Sequence, residues 1–339
     1  MAQPPKKTAR KRSAKPKATA TKSARNKEAT DVANKQTKAH ASKGAKSPPR
    51  TSDSTKALNV EIIRTVADLR GATAPWRRKG EPIALVPTMG ALHAGHIALV
   101  QAAKKAAKHT IVSIFVNPAQ FAPNEDLARY PRDEDGDIGR LRENAVDMVW
   151  APSVEEMYPE GYSTYVTAGS TANGLETDFR PHFFRGVATI VLKLLNQVAP
   201  DYVTFGEKDY QQLCVVRQMV RDLNVPTEII PVPTVREKDG LALSSRNAYL
   251  APREREIAPH LHRTIVEVAK AAKTGNLGVI RADAAMKLLA LGFNKVDYVE
   301  IRDAETLATF DPSSGRPGRV LVAAWLGRTR LIDNVSISP

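Results

Sequence analysis

From about Asn59 onward, short, continuously apolar runs alternate with longer stretches that are apolar on one side only, and this constrains the fold more than any other feature. The runs at residues 83–86, 111–116, 147–151 and 202–205 are too short for helices and are bounded by Pro, Gly, Asn or Asp. Continuous apolarity implies that both faces of each strand are covered, as in a parallel sheet. Between them, residues 96–108, 133–144, 187–198 and 210–223 read as amphipathic helices. The βαβ rhythm predicts an α/β fold with a doubly wound parallel sheet, whose ligands bind beyond the carboxyl ends of the strands.

The Pro-punctuated run at 229–236 reads as the passage into a smaller α+β C-terminal domain. It is followed by a polar loop at 236–247, helices near 252–272 and 279–291, and strands at 296–301, 320–326 and 329–332. The expected division is 1–56 as a tail, 57–234 as the Rossmann-like domain and 235–339 as the C-terminal domain.

The formal charge of +14 suggests a nucleic-acid binder until it is located along the chain. Residues 1–56 hold 16 Lys and Arg against three acids, whereas the other 283 residues hold 34 bases against 33 acids. Apart from alanines and Met1, the only aliphatic residue in that segment is Val32, and it has no aromatic, so a disordered basic tail is predicted. One reading of the tail is a solvated polycation or an over-extended start site. Another is non-specific polyanion contact, since its Lys/Ala/Pro/Thr texture resembles linker-histone-like tails. A third is an organelle transit peptide, although the segment is richer in Lys than Arg and has no apolar stripe. A DNA-binding fold normally carries its own basic face, which the near-neutral remainder lacks. The single cysteine, Cys214, excludes an intramolecular disulfide, and no apolar run is long enough to span a bilayer, so a cytoplasmic, membrane-free protein is expected.

Four stretches at predicted strand ends or in the polar loop can carry chemistry. In Thr88-Met-Gly-Ala-Leu-His-Ala-Gly-His96 two histidines stand three residues apart at a strand-to-helix turn. They can ligate a metal, or cap and pack a helix, or donate to phosphate oxygens. Gly90 and Gly95 would let backbone N–H groups approach an anion there. Phe205-Gly-Glu-Lys-Asp-Tyr-Gln-Gln212 offers Lys208 as a compact charge for phosphate and Asp209 for a ribose hydroxyl or for orienting the lysine, or else a surface ion pair. Leu243-Ser-Ser-Arg-Asn247 brings two hydroxyls and a guanidinium to a loop that can close over a polyphosphate, or is simply a Ser-rich turn. In Phe115-Val-Asn-Pro-Ala-Gln-Phe121, neutral Asn117 and Gln120 suit a small hydroxy acid better than a phosphate.

In this order and spacing the four stretches closely resemble the pantoate–β-alanine ligases (pantothenate synthetases), members of the His-x-Gly-His nucleotidyltransferase superfamily. Tyr130-Pro-Arg132, Val232-Pro-Thr-Val-Arg-Glu237 and Leu243-Ser-Ser-Arg-Asn-Ala-Tyr-Leu250 extend the likeness from about Val60 to Ile337. The resemblance implies a two-step ligation: ATP and pantoate give pantoyl adenylate and pyrophosphate, then β-alanine gives pantothenate and AMP. It assigns ATP to Met89, Gly90, Ala91, Leu92, His93, Ala94, Gly95 and His96, to Gly206, Glu207, Lys208 and Asp209, to the backbone of Val235, and to Leu243, Ser244, Ser245 and Arg246. His96 is the implied proton donor, with His93, Lys208, Ser244, Ser245 and Arg246 as further catalytic groups. Gln120 and Gln212 would hold pantoate, Gln120 also β-alanine. Mg²⁺ would accompany ATP, with ligands unassigned, and a homodimer is implied. A related nucleotidyltransferase acting on a phosphorylated substrate would call for basic residues where Gln120 and Gln212 stand. Three departures from the family pattern are Leu243 for methionine, Phe183 for a histidine with His182 just before it, and the tail.

Overall fold

The structure is a computed structural model that describes residues 60–338 except 123, 124 and 126; the predictions for the tail lie outside the described residues. Among the described residues nine strands run Glu61–Ile63 (β1), Ile83–Thr88 (β2), His109–Ile114 (β3), Met148–Trp150 (β4), Tyr202–Gly206 (β5), Glu228–Val232 (β6), Lys295–Asp303 (β7), Gly318–Leu326 (β8) and Thr329–Ile337 (β9). The α-helices are Val66–Arg78 (α1), Ala94–Ala106 (α2), Glu134–Glu143 (α3), Val154–Met157 (α4), Glu176–Phe179 (α5), Phe183–Val198 (α6), Tyr210–Asp222 (α7), Pro252–Ile257 (α8), His260–Ala271 (α9) and Leu277–Ala290 (α10).

The first six strands form one sheet in the order β1-β4-β3-β2-β5-β6, parallel at every pairing. Alternation along β2 divides the core. Ala84 and Val86 pack with Val100 of α2 and Leu141 of α3, while Ile83 and Leu85 pack with Leu69 of α1, Leu195 of α6 and Leu213 of α7. The doubly wound, Rossmann-like expectation therefore holds. β7, β8 and β9 form a smaller antiparallel sheet whose Val320, Val322 and Ala324 face Leu261 and Ile265 of α9 and Leu288 of α10. Leu321, pointing the other way, joins the core of the large sheet.

Several elements differ from the sequence reading. The run at 229–236 is not only a passage: Glu228–Val232 is the sixth strand, and Pro231 is tolerated because β6 is an edge. β1 and α1 escape the apolar pattern because β1 is three residues long and α1 contains Gly71 and Pro75 and buries only Leu69 and Thr73. The 252–272 helix is two, α8 and α9, separated at Ala258 and Pro259. β9 continues five residues beyond the expected Ile332, through Asp333 and Asn334. Among the described residues no helix is long and apolar enough to cross a membrane.

Candidate active site

The chain winds from β2 to β3 and β4 on one side, then returns to β5 and β6 on the other, so β2 and β5 flank the topological switch point. A cavity of about 1050 Å³ opens at their carboxyl ends. Met89, His93, Gly95 and His96 line it from β2, and Gly206, Lys208, Asp209 and Gln212 from β5. Val235, the 243–246 loop and Gln120 line it as well. Gly90, Ala91, Leu92, Ala94 and Glu207 are not on its wall.

His93 is the N-cap of α2, and the two histidines cap each other's turn. Nδ1 of His93 accepts from the Gly95 N–H at 3.1 Å, and Nδ1 of His96 accepts from the His93 N–H at 3.2 Å. Burial lowers His93 to about 4, with the Lys208 charge adding to the effect. Burial, then His93 and Lys208, lowers His96 to about 3. Both rings are neutral near pH 7. A neutral imidazole that accepts at Nδ1 carries its proton on Nε2, so each ring presents one N–H donor. The rings lie 4.1 Å apart, centroid to centroid. Gly95 is required by this arrangement, because a Cβ there would fall 2.8 Å from Cε1 of His93 and 2.9 Å from Nδ1.

The expected offer of backbone N–H groups to an anion is largely taken up inside the protein. Gly90 (φ +81°) and Ala91 (φ +52°) curl the chain so that the N–H groups of Ala91 and Leu92 both donate to the buried carboxylate of Asp137, each at 2.7 Å. Gly90 N–H donates to Thr88 Oγ1 at 3.3 Å. Asp137, on α3, thus fills the anion nest, and burial pushes its carboxyl up against the pull of those two donors. Sequence reasoning missed it. The donors left for a ligand are side chains: the two Nε2–H groups, and Lys208, whose Nζ lies 3.7 Å from Asp209 Oδ1.

The 236–247 loop is a tight hairpin. Arg236 bridges Ala242, Glu237 N–H donates to Leu241 O at 2.8 Å, and Leu243 N–H donates to Val235 O at 3.0 Å. Ser244 then caps a short turn, Ser245–Tyr249, its Oγ accepting from the Arg246 N–H at 3.2 Å. Ser245 Oγ lies 3.4 Å from the Tyr130 hydroxyl. Glu207 turns away from the cavity to Arg319, at 3.0 Å.

Around Gln120, the neutral part of the site is pre-set. Asn117 Oδ1 accepts from the Ala119 N–H at 3.2 Å and the Tyr158 hydroxyl at 2.7 Å. Its Nδ2 must then donate, to Gly186 O and Gln120 Oε1, both at 3.2 Å. That polarity turns Gln120 Nε2 toward Met89 Sδ, 2.8 Å away, as a donor. Arg180, paired with Glu125 at 2.6 Å, also holds the Gln120 carbonyl and stacks 3.8 Å over Phe183. Phe183 lines the cavity; His182 is exposed and outside it. Among the described residues no group of three or more His, Cys, Asp or Glu is arranged to hold a metal, which leaves no support for a metal site at His93 and His96.

The family model described as pantoate-beta-alanine ligase matches residues 61–336. The chain belongs to the pantoate-beta-alanine ligase family. A pantothenate synthetase of Dinoroseobacter shibae is 53% identical over 280 residues, spanning 82% of this chain and 99% of the relative. A crystal structure of pantothenate synthetase from Thermus thermophilus superposes with a TM-score of 0.76 at 45% identity, covering 83% of this chain and all of that one. A pantoate-beta-alanine ligase from Francisella tularensis, complexed with beta-gamma ATP and beta-alanine, gives a TM-score of 0.69 at 36% identity, covering 81% and 97%. The family match begins past the basic segment.

Proposed function

We propose that this chain condenses pantoate with β-alanine at the expense of ATP, through a pantoyl adenylate. The observation that carries the reading is the cavity at the β2/β5 switch point. Imidazole N–H donors, Lys208, the Ser244–Arg246 loop and the neutral, pre-oriented Gln120 amide all line it. A carboxylate is a poor electrophile. In the first step a pantoate carboxylate oxygen attacks the α-phosphorus of ATP, and the bond to the bridging oxygen breaks to release pyrophosphate. Charge grows along the polyphosphate, where preorganised donors contribute most. Lys208, Arg246 and the Nε2–H groups of His93 and His96 fill that role, with the Ser244 and Ser245 hydroxyls lining the same cavity. In the second step the neutral amine of β-alanine attacks the acyl carbon, the C–O bond to AMP breaks, and the amine loses a proton. Gln120 and Gln212 fit the hydroxy-acid end, Gln120 as a donor.

The implied proton-donor role of His96 has a condition. Burial keeps its ring neutral, so it donates a hydrogen bond; it becomes a proton donor only when a bound polyphosphate raises its pKa, as a nearby anion does. Mg²⁺ fits as the companion of ATP, a cation held mostly by phosphates and water with one or two protein carboxylates, and Asp209, next to Lys208, is a half-exposed carboxylate on the wall. Bound there it would neutralise polyphosphate charge. The division at 234/235, the homodimer, the cytoplasmic location and polyanion contact through residues 1–56 belong to the same reading. The assay is incubation with ATP, pantoate and Mg²⁺, with and without β-alanine. Pyrophosphate formed from ATP and pantoate, with AMP released only when β-alanine is added, is expected; AMP release indifferent to β-alanine would overturn the reading.

A further inference from the structure

The side chain best placed to control Lys208 lies 126 residues away, on β9. Asn334 is buried, and its Nδ2 donates to two backbone carbonyls in the turn that follows β5, Glu207 O at 2.9 Å and Lys208 O at 2.8 Å. Its Oδ1 accepts from Arg319 Nε at 2.7 Å. Arg319 is itself tied to the Glu207 carboxylate at 3.0 Å and stacked 4.0 Å over the Tyr210 ring. The polarity of the amide is unambiguous, because a guanidinium only donates and a carbonyl only accepts. All three contacts are met by asparagine, whereas aspartate would set an oxygen against two carbonyls and leucine would leave both without a donor.

Asn334 is in turn fixed from behind. Its own N–H donates to Asp333 Oδ1 at 2.7 Å, and Asp333 receives both arms of Arg236 at 2.6 and 2.8 Å. The Glu207–Asp209 turn is a single 3-10 turn with no side-chain cap, so its position is set by what holds its carbonyls. Lys208 extends from that turn into the cavity.

We propose that Asn334 is a positioning residue for Lys208: it lines the same cavity, and through its bonds to the Glu207 and Lys208 carbonyls it holds the turn so that the ammonium meets the polyphosphate. The proposal rests on the role given to Lys208 above. Displacement of a catalytic group by about 1 Å costs on the order of 100-fold in rate. Lys208→Ala removes the group outright, an expected loss of about 100- to 1,000-fold.

The test is a double-mutant cycle on the full chain, with pyrophosphate formation from ATP and pantoate followed in single turnovers. Asn334→Ala should slow this step about 10- to 100-fold in the parent protein and less than about 2-fold in a Lys208→Ala background, because the group it positions is gone. If Asn334→Ala does not yield folded protein, Asn334→Ser, which keeps one donor, enters the same cycle with a smaller expected loss. An equal loss in both backgrounds, or none in the parent, overturns the inference while the role of Lys208 stands. Unchanged turnover in Lys208→Ala alone would instead overturn the reading of Lys208.

Discussion

Gly95→Ala separates two explanations of the glycine between the histidines. If it exists to admit the nucleotide, a methyl there raises the KM for ATP and leaves the histidines undisturbed. The structure supports the other explanation: the new Cβ would sit 2.8 Å from the His93 ring, with its next contact, Leu243 Cβ, at 3.8 Å. The ring must swing out of its capping position, and the 3.1 Å bond from the Gly95 N–H is lost. That loss costs about 1 kcal/mol, while alanine is the better helix former by about 0.8–1 kcal/mol, so stability should move by less than about 1 kcal/mol. Activity has no such compensation, because the Nε2–H of His93 moves by an ångström or more, and turnover should fall on the order of 100-fold. The spectroscopic signature is the His93 titration followed by NMR, near 4 in the parent. Released from burial, it should climb toward its ordinary value of about 6.5 in the variant. Unaltered titration of His93 with turnover within about threefold of the parent would refute the reasoning.

Asp137→Asn keeps one of the two 2.7 Å bonds to the Ala91 and Leu92 N–H groups and turns an NH₂ against the other. A loss of about 2 kcal/mol is expected, seen as a fall in Tm of about 4–8 °C, together with at least about tenfold lower turnover; an unchanged Tm would show that the nest does not depend on that charge. Both histidines have folded pKa values below their unfolded value of about 6.5, so the unfolded chain takes up protons that the native chain does not. Their contribution to stability is therefore complete above about pH 7 and declines as pH falls from about 6.5 toward about 4 for His93 and about 3 for His96. Between pH 7 and 5 the Tm of the parent should drop more than that of a His93→Gln, His96→Gln double variant, and parallel curves would contradict the assignment. Deleting residues 2–56 should leave turnover intact and abolish retention on DNA at low salt, where phosphate neutralisation is strongest; lost activity would make the segment part of the catalytic unit.

The parts of this fold that are legible in the sequence are those whose signal is local. β2 to β5 announce themselves because burial on both faces leaves a continuous apolar run, and the reactive side chains stand at the ends of such runs or in the adjoining loop. The groups that hold those side chains are far away in sequence: Asp137 is 46 residues from Ala91, Asn117 is 69 from Gly186, and Asn334 is 126 from Lys208. Each is a polar residue whose partner is a backbone N–H or C=O, and any residue type supplies those, so spacing carries no trace of the pairing. One signal does survive. The apolar run of β9 ends for the eye at Ile332, where Asp333 and Asn334 interrupt it, yet no glycine or proline stands between them and Ile337 to turn the chain, and the strand continues to Ile337. Polar residues that break a strand pattern without a turn residue are polar for a reason other than solvent, and both are buried here. A buried aspartate and asparagine must satisfy their hydrogen-bonding groups internally, and here the partners are Arg236 below the hairpin and the carbonyls beneath Lys208. The break in the pattern is thus the mark, in the sequence itself, of the buried scaffold that holds the Glu207–Lys208 turn.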